Sequence, residues 1–325
     1  LFFVGHAFLE GDIMKKILTM VAGIVIVVVL AMFVSYHIAI SRLEELTPEV
    51  RKNLPGDFVS LSEGTISYYW KGPENGNIVV LVHGFSTPKF VWDRNVDALT
   101  AAGNRVLAFD HFGRGFSDRP DVVYDADHYN RELLELLDAL GVRTPVNLVG
   151  YSMGGGNVVG FAARNPTRVK KLILIAPAGY VPPYTGLAAL ALTPGLGDWL
   201  MAMMGKSTIM KTVQKEVEEG RALPDMIENF EKQLKYRGYL PALLSTMRNY
   251  PMSDLSADYE KVGRLGIPAV AIWGTSDSTV PFAGSEKVLK AIPQLVLYPI
   301  EGAEHSVTYS RADDVNRILI SVLKD

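Results

Sequence analysis

The chain contains no cysteine in 325 residues. Disulfides, thiolate nucleophiles and cysteine-ligated metals are therefore excluded, while the redox compartment stays open. A basic run is also missing. The formal net charge is −3, and without a positive patch nucleic-acid binding has no electrostatic support. No group of His, Asp or Glu residues has metal-ligand spacing. The glycines of Asp110-His111-Phe112-Gly113-Arg114-Gly115-Phe116-Ser117 lack the spacing of a dinucleotide fingerprint and come with no P-loop lysine. No motif calls for a cofactor or a metal. Charged residues make up only 21% of the chain against 48% hydrophobic ones, which excludes disorder and allows a large core.

What the sequence does have is one long apolar run near its start. Residues 17–41 hold no Asp, Glu, Lys or Arg, and about 20 such residues cross a bilayer as a helix. Lys15 and Lys16 precede the run, and Arg42, Glu44 and Glu45 follow it. The positive-inside rule puts the lysines in the cytoplasm and the rest of the chain on the far side of the membrane. Residues 14–41 thus read as a retained transmembrane anchor. The alternative is a signal cleaved near Ala39-Ile40-Ser41, followed by secretion, although its apolar region would be longer than the usual 7 to 15 or so. Met14 reads as a natural start, with residues 1–13 an upstream extension. Residues 42–56 read as a linker in which Pro48 and Pro55 break helices.

Beyond the linker, strands and helices alternate. Short apolar runs at 78–82, 105–109, 146–149, 172–175, 269–273 and 295–298 suit strands buried on both faces of a parallel sheet. Residues 58–61 and 65–70 form a hairpin about Glu63-Gly64. Helical patterns occupy 127–140, 157–164, 284–292 and 313–323. This order predicts an α/β fold with a doubly wound, mostly parallel sheet, whose ligand site lies at the carboxyl ends of the strands. The core is expected over 57–179 and 257–325. Residues 180–256 break the alternation. They carry seven of the eleven methionines and read as an inserted helical cap, since flexible thioethers suit a surface that adapts to apolar partners.

Gly150-Tyr151-Ser152-Met153-Gly154 matches the G-x-S-x-G nucleophile elbow, with a strand pattern before it and a helix pattern after it. A serine hydroxyl needs a base to take its proton. In α/β-hydrolase order the acid and then the histidine follow the serine. Of six histidines only His305 lies beyond Ser152. Asp277, in the loop after 269–273, is the expected acid. Asp254, Asp258, Glu301 and Glu304 compete, but the first two fall in or near the cap and the last two crowd His305 in sequence. A tetrahedral oxyanion needs backbone N–H donors. Met153 supplies one, and Phe85 of His83-Gly84-Phe85-Ser86 the other, with Ser86 as the alternative. His83 precedes the serine and is expected to order that loop. The turn from Asp110 to Ser117 should pack beside it.

These pieces arrive in the order of the α/β-hydrolase superfamily, and the chain resembles that family over about residues 58–325. The resemblance implies an eight-stranded, mostly parallel sheet with an inserted helical cap over the site. Within the family the chain looks most like capped carboxylesterases and lipases. It looks somewhat like C–C bond hydrolases of ring-cleavage products. Epoxide hydrolases and haloalkane dehalogenases carry Asp where this chain has Ser152. Phe85 and Ser86 replace the small, Gly-rich oxyanion loop of many C–C hydrolases, which favours esters. The expected activity is cleavage of a small carboxylic ester with apolar groups through an acyl-enzyme. A C–C hydrolase is the alternative, and a non-catalytic ligand-binding protein of the same fold a further one.

Overall fold

The apolar runs pair into one sheet. The computed structural model describes the backbone of residues 2–324 and the side-chain surroundings of residues 13–324. Its strands are β1 (Asp57–Leu61), β2 (Gly64–Lys71), β3 (Asn77–Val82), β4 (Asn104–Phe109), β5 (Val146–Tyr151), β6 (Val169–Ile175), β7 (Ala269–Gly274) and β8 (Val296–Ile300). They lie in the order β1-β2-β4-β3-β5-β6-β7-β8. β2 runs antiparallel to β1 and β4, and the other pairings are parallel. Central strands are buried throughout their apolar length, as at Val79 to Val82 and Leu172 to Ile175. That is why they read as unbroken runs instead of alternating.

Two groups of helices flank the sheet. Asp93–Ala101 packs with Ala312–Leu323; Met153–Arg164 packs with Ala126–Ala139 and Ser256–Leu265. In the first group a buried Asn95–Asn316 hydrogen bond of 2.7 Å fixes the helix register. In the second, Leu133, Leu136 and Leu137 supply the buried stripe, and the Asp125 carboxylate caps the helix by accepting from the His128 N–H.

Three details depart from the sequence expectations. The helix after Ser152 begins at Met153, not residue 157. Gly154, Gly155 and Gly156 have poor helix propensity, but tertiary packing overrides it. Pro48 does not end a helix. It sits in the first turn of Pro48–Arg51, where its missing N–H costs nothing, and Thr47 caps that turn. The N-terminal helix runs over Phe2–Ser41, so it includes backbone set aside above as an upstream extension.

The strand order reverses between β3 and β5, since the chain moves from β3 out to β4 and returns to β5 on the other side. Open α/β sheets bind ligands at such a switch point. His83 follows β3 there and is fully buried. Its Nδ1–H donates to the Gly84 carbonyl at 2.8 Å, and its Nε2 accepts from the His111 N–H at 2.9 Å. That pattern requires the neutral ring. Burial, then the neighbouring His111, hold its pKa well below the usual 6.5. The folded state therefore binds fewer protons than the unfolded chain as pH falls below about 6.5. His83 thus contributes stability that is present above that pH and lost on acidification. In thermal melts between pH 8 and 5, wild type should lose Tm more steeply below pH 6.5 than His83→Gln, which keeps an acceptor but cannot protonate. Parallel slopes would contradict this assignment.

Candidate active site

Ser152 follows directly from β5, with φ 55° and ψ −121°. A non-glycine residue at positive φ stores strain of about 1–3 kcal/mol and persists there only where its surroundings fix it. Here the surroundings do. A Cβ on Gly150 would stand 2.3 Å from the Gly154 carbonyl oxygen, and one on Gly154 would stand 2.2 Å from that of Val82. Only glycine permits the helix to leave the strand this tightly. The Ser152 N–H donates to the Ile175 carbonyl at 2.8 Å, and its own carbonyl accepts from Ala178 N–H at 2.9 Å. The side chain is thereby pushed out over the carboxyl edge of the sheet.

Two later loops meet it. His305 follows β8, and its Nε2 stands 3.0 Å from Ser152 Oγ. Asp277 follows β7, and its Oδ2 stands 2.8 Å from His305 Nδ1. The Asp277 carboxylate is nearly inaccessible, and its Oδ1 accepts from the N–H groups of Thr279 at 2.9 Å and Val280 at 2.8 Å. Those donors orient the carboxylate toward the ring. This chain of contacts can draw the hydroxyl proton to Nε2 and stabilise the resulting imidazolium. Three rival acids are engaged elsewhere: Asp254 with Ser256, Asp258 with Arg164, and Glu304 with Arg221.

The loop after β3 lies against the serine, because a Cβ on Gly84 would come within 3.2 Å of Ser152 Cβ. The Gly84 carbonyl is turned to the His83 ring. In a trans peptide the Phe85 N–H therefore points away from that ring. Met153 opens its helix, so its N–H has no carbonyl one turn earlier. Among the described residues neither amide has a hydrogen-bond acceptor.

Sequence reasoning missed what immobilises this loop. Arg114, fully buried, donates Nε to the Phe85 carbonyl at 3.0 Å and Nη2 to Thr246 at 2.8 Å, beneath the Phe85 and Tyr129 rings. Gln233 and Tyr239, from the inserted helices, donate to the Ser86 carbonyl at 3.1 and 3.0 Å. Lys89 and Asp110 form a buried pair at 2.5 Å beside them. The turn from Asp110 to Ser117 does pack on the loop as its position suggested. The further signal in the sequence was a lone arginine between two glycines, which names no partner.

Residues between β6 and Ser256–Leu265 form helices that roof a cavity of about 580 Å³ over Ser152. The roof includes Met201, Met204, Met226 and Met247, four of the seven cap methionines. Met201–Gly205 is a π-helical turn within the longer helical run, of the kind that recurs at functional sites. Among the described residues no lysine or arginine lines this cavity. Its carboxylate is Glu216, which faces it from the helix Lys206–Glu218. Burial pushes that carboxyl above the usual range, against the opposing pull of Arg221 and His305.

A switch-point serine under a helical roof defines a hydrolase of the α/β type. The alpha/beta hydrolase fold family model matches residues 77–312, and the chain belongs to that family. It is 30% identical over 82% of its length to a 2-hydroxy-6-oxononadienedioate/2-hydroxy-6-oxononatrienedioate hydrolase of Dechloromonas aromatica, covering 94% of that protein. It is 28% identical over 81% of its length to a putative non-heme chloroperoxidase of Synechocystis sp., covering 97% of it. An esterase from Exiguobacterium antarcticum shares the fold, with a TM-score of 0.68 at 21% identity, over 83% of this chain and all of that one.

The bond between Asp277 and His305 yields a direct expectation. Asp277→Asn should leave the melting temperature nearly unchanged but lower kcat by about 10³ to 10⁴ on any substrate turned over, because the amide favours the wrong imidazole tautomer. Steady-state kinetics beside a melt would check it; undiminished kcat would remove Asp277 from the relay.

Proposed function

We propose that the protein is a serine hydrolase acting on carboxylic esters with apolar groups. In this reading Ser152 Oγ attacks the ester carbonyl while His305 Nε2 takes its proton. The N–H groups of Phe85 and Met153 receive the oxyanion. His305 returns the proton to the departing alcohol, then activates the water that releases the acid. Asp277 steadies the ring in both its charged and neutral forms. The single observation that carries the proposal is the Ser152–His305–Asp277 chain lying at the floor of an apolar cavity that no lysine or arginine among the described residues lines.

That cavity also weighs between relatives. The Dechloromonas protein is named for a dioate, whose two carboxylates call for cationic partners. Here Glu216 would repel such a substrate, which favours a neutral ester over C–C cleavage of a dioate. The helices of residues 180–256 serve as the cap that sets this selectivity. The N-terminal helix supports an anchor: residues 13–31 are exposed and apolar apart from the lysine pair and Thr19, long enough to cross a membrane. Lys15 and Lys16 favour a cytoplasmic start and an extracytoplasmic catalytic domain.

A panel of p-nitrophenyl esters of increasing chain length tests the activity. Wild type should turn over short- to medium-chain members, and Ser152→Ala should lose at least about 10⁴ in kcat. A folded wild type inert on the whole panel but active on a ring-cleavage product would replace the ester reading with the C–C one. Charge selection has its own test. Glu216→Gln should raise kcat/KM for an ester with a distal carboxylate by about three- to tenfold, with a smaller change for the neutral ester of equal length. No gain for the anionic ester would mean that Glu216 does not select substrates.

A further inference from the structure

We infer that the cap face carrying Leu190 and Leu196 rests on the lipid bilayer and that the cavity draws its ester from the membrane. This deepens the ester reading and depends on it for the identity of the substrate, although the bilayer contact can be measured without any activity.

The N-terminal helix stops being fully exposed partway along its length. Residues 13–31 are exposed throughout. Met32, Ser35, Tyr36, Ala39 and Ile40 are then half-buried, at the spacing of one helical face. That face packs on the cap, against Leu196–Leu200 and the π turn Met201–Gly205. Trp199 Nε1–H donates to Ser35 Oγ at 2.9 Å. Counting about 20 residues from the charge-free start at Ile17 brings the far edge of the hydrocarbon to about Tyr36. The stripe that meets the cap therefore begins within the last turn of the span. Tyr36 and Trp199 lie at the headgroup level, where such rings are favoured.

The chain has no slack after this point. Glu44 N–H donates to the Lys235 carbonyl at 3.1 Å, and Arg237 N–H to the Glu44 carbonyl at 2.8 Å. Lys235–Glu44 and Arg237–Glu45 ion pairs reinforce that bridge. The cap is consequently held close to the emerging helix.

The exposed apolar side chains are placed accordingly. Past the N-terminal helix, the large exposed hydrophobic side chains among the described residues are Val123, Leu187, Leu190, Leu196, Met203, Met204, Leu265 and Val296. Five of these eight fall within 187–204, on the cap segments beside the spanning helix. Leu187, 54% exposed, and Met204, 43% exposed, also line the cavity. The mouth thus opens through the apolar face. Continuity with the spanning helix selects a bilayer as the occupant, because a second copy would have to approach along the same membrane surface to reach the patch.

Absence of cysteine makes single-cysteine labelling clean. The full chain, reconstituted in phosphatidylcholine vesicles with some chain-brominated phosphatidylcholine, is labelled with an environment-sensitive fluorophore at Leu190→Cys, Leu196→Cys or Val296→Cys. Labels at 190 and 196 should be quenched several-fold more strongly than the label at 296. Equal quenching at all three, or cross-linking between copies at 190 without lipid quenching, overturns the inference. In parallel, the Leu190→Glu/Leu196→Glu variant should lose about tenfold or more on a long-chain ester embedded in the vesicles while retaining its rate on soluble p-nitrophenyl butyrate. Equal loss on both esters, or on neither, also overturns it. Wild type that cleaves neither ester would sink the ester reading alone, since quenching reports the bilayer contact independently.

Discussion

Ser152 is held in a backbone conformation that a serine does not choose for itself, and the geometry of the site is referred to that point. The turn survives because glycine at 150 and 154 lets the helix return across β3 and β5, and because the neighbouring strand takes up the serine's own amide. Strain of this order is tolerable only where packing leaves no alternative. In return the hydroxyl stands above the sheet edge, where loops from β7 and β8 bring a carboxylate and an imidazole in line. Relaxing the turn would displace the Ser152 hydroxyl from both the His305 ring and the nearby amides at once.

Around that point lies a polar shell connecting core and roof. His83 and Arg114 hold carbonyls of the loop after β3 from below, while Gln233 and Tyr239 hold the next carbonyl from the cap. Donor preorganisation of this kind is often the largest contributor to acyl-transfer catalysis. It also couples roof to floor: a cap movement that releases Ser86 would disturb the neighbouring amide. The cavity above is apolar and methionine-rich, and Glu216 is the carboxylate among its described lining residues.

Much of this was legible in the amino-acid sequence because the chemistry constrains chain order. A serine between spaced glycines, one histidine beyond it and an aspartate after a buried run leave few arrangements. The eight strands announced themselves as apolar runs or as a hairpin, and the inserted helices as a break in the alternation. What stayed hidden depends on contacts distant in sequence. Arg114 reaches Thr246, and Tyr239 reaches Ser86, across more than a hundred residues, and no local pattern names either partner. Glu216 is one glutamate in a charged helix, and only the fold turns it toward the cavity. The helix start at Met153 was obscured because three glycines read as a loop until packing is known. The half-buried stripe from Met32 to Ile40 was masked within a run that is apolar on all sides.

Covalent capture of the nucleophile reaches the centre of the account without assuming a substrate. The purified full chain, treated with a fluorophosphonate and digested, should carry one phosphonyl adduct, at Ser152 by mass spectrometry. His305→Ala should abolish that labelling at equal folded concentration. A folded wild type that remains unmodified, or an adduct at another serine, would contradict the proposed relay.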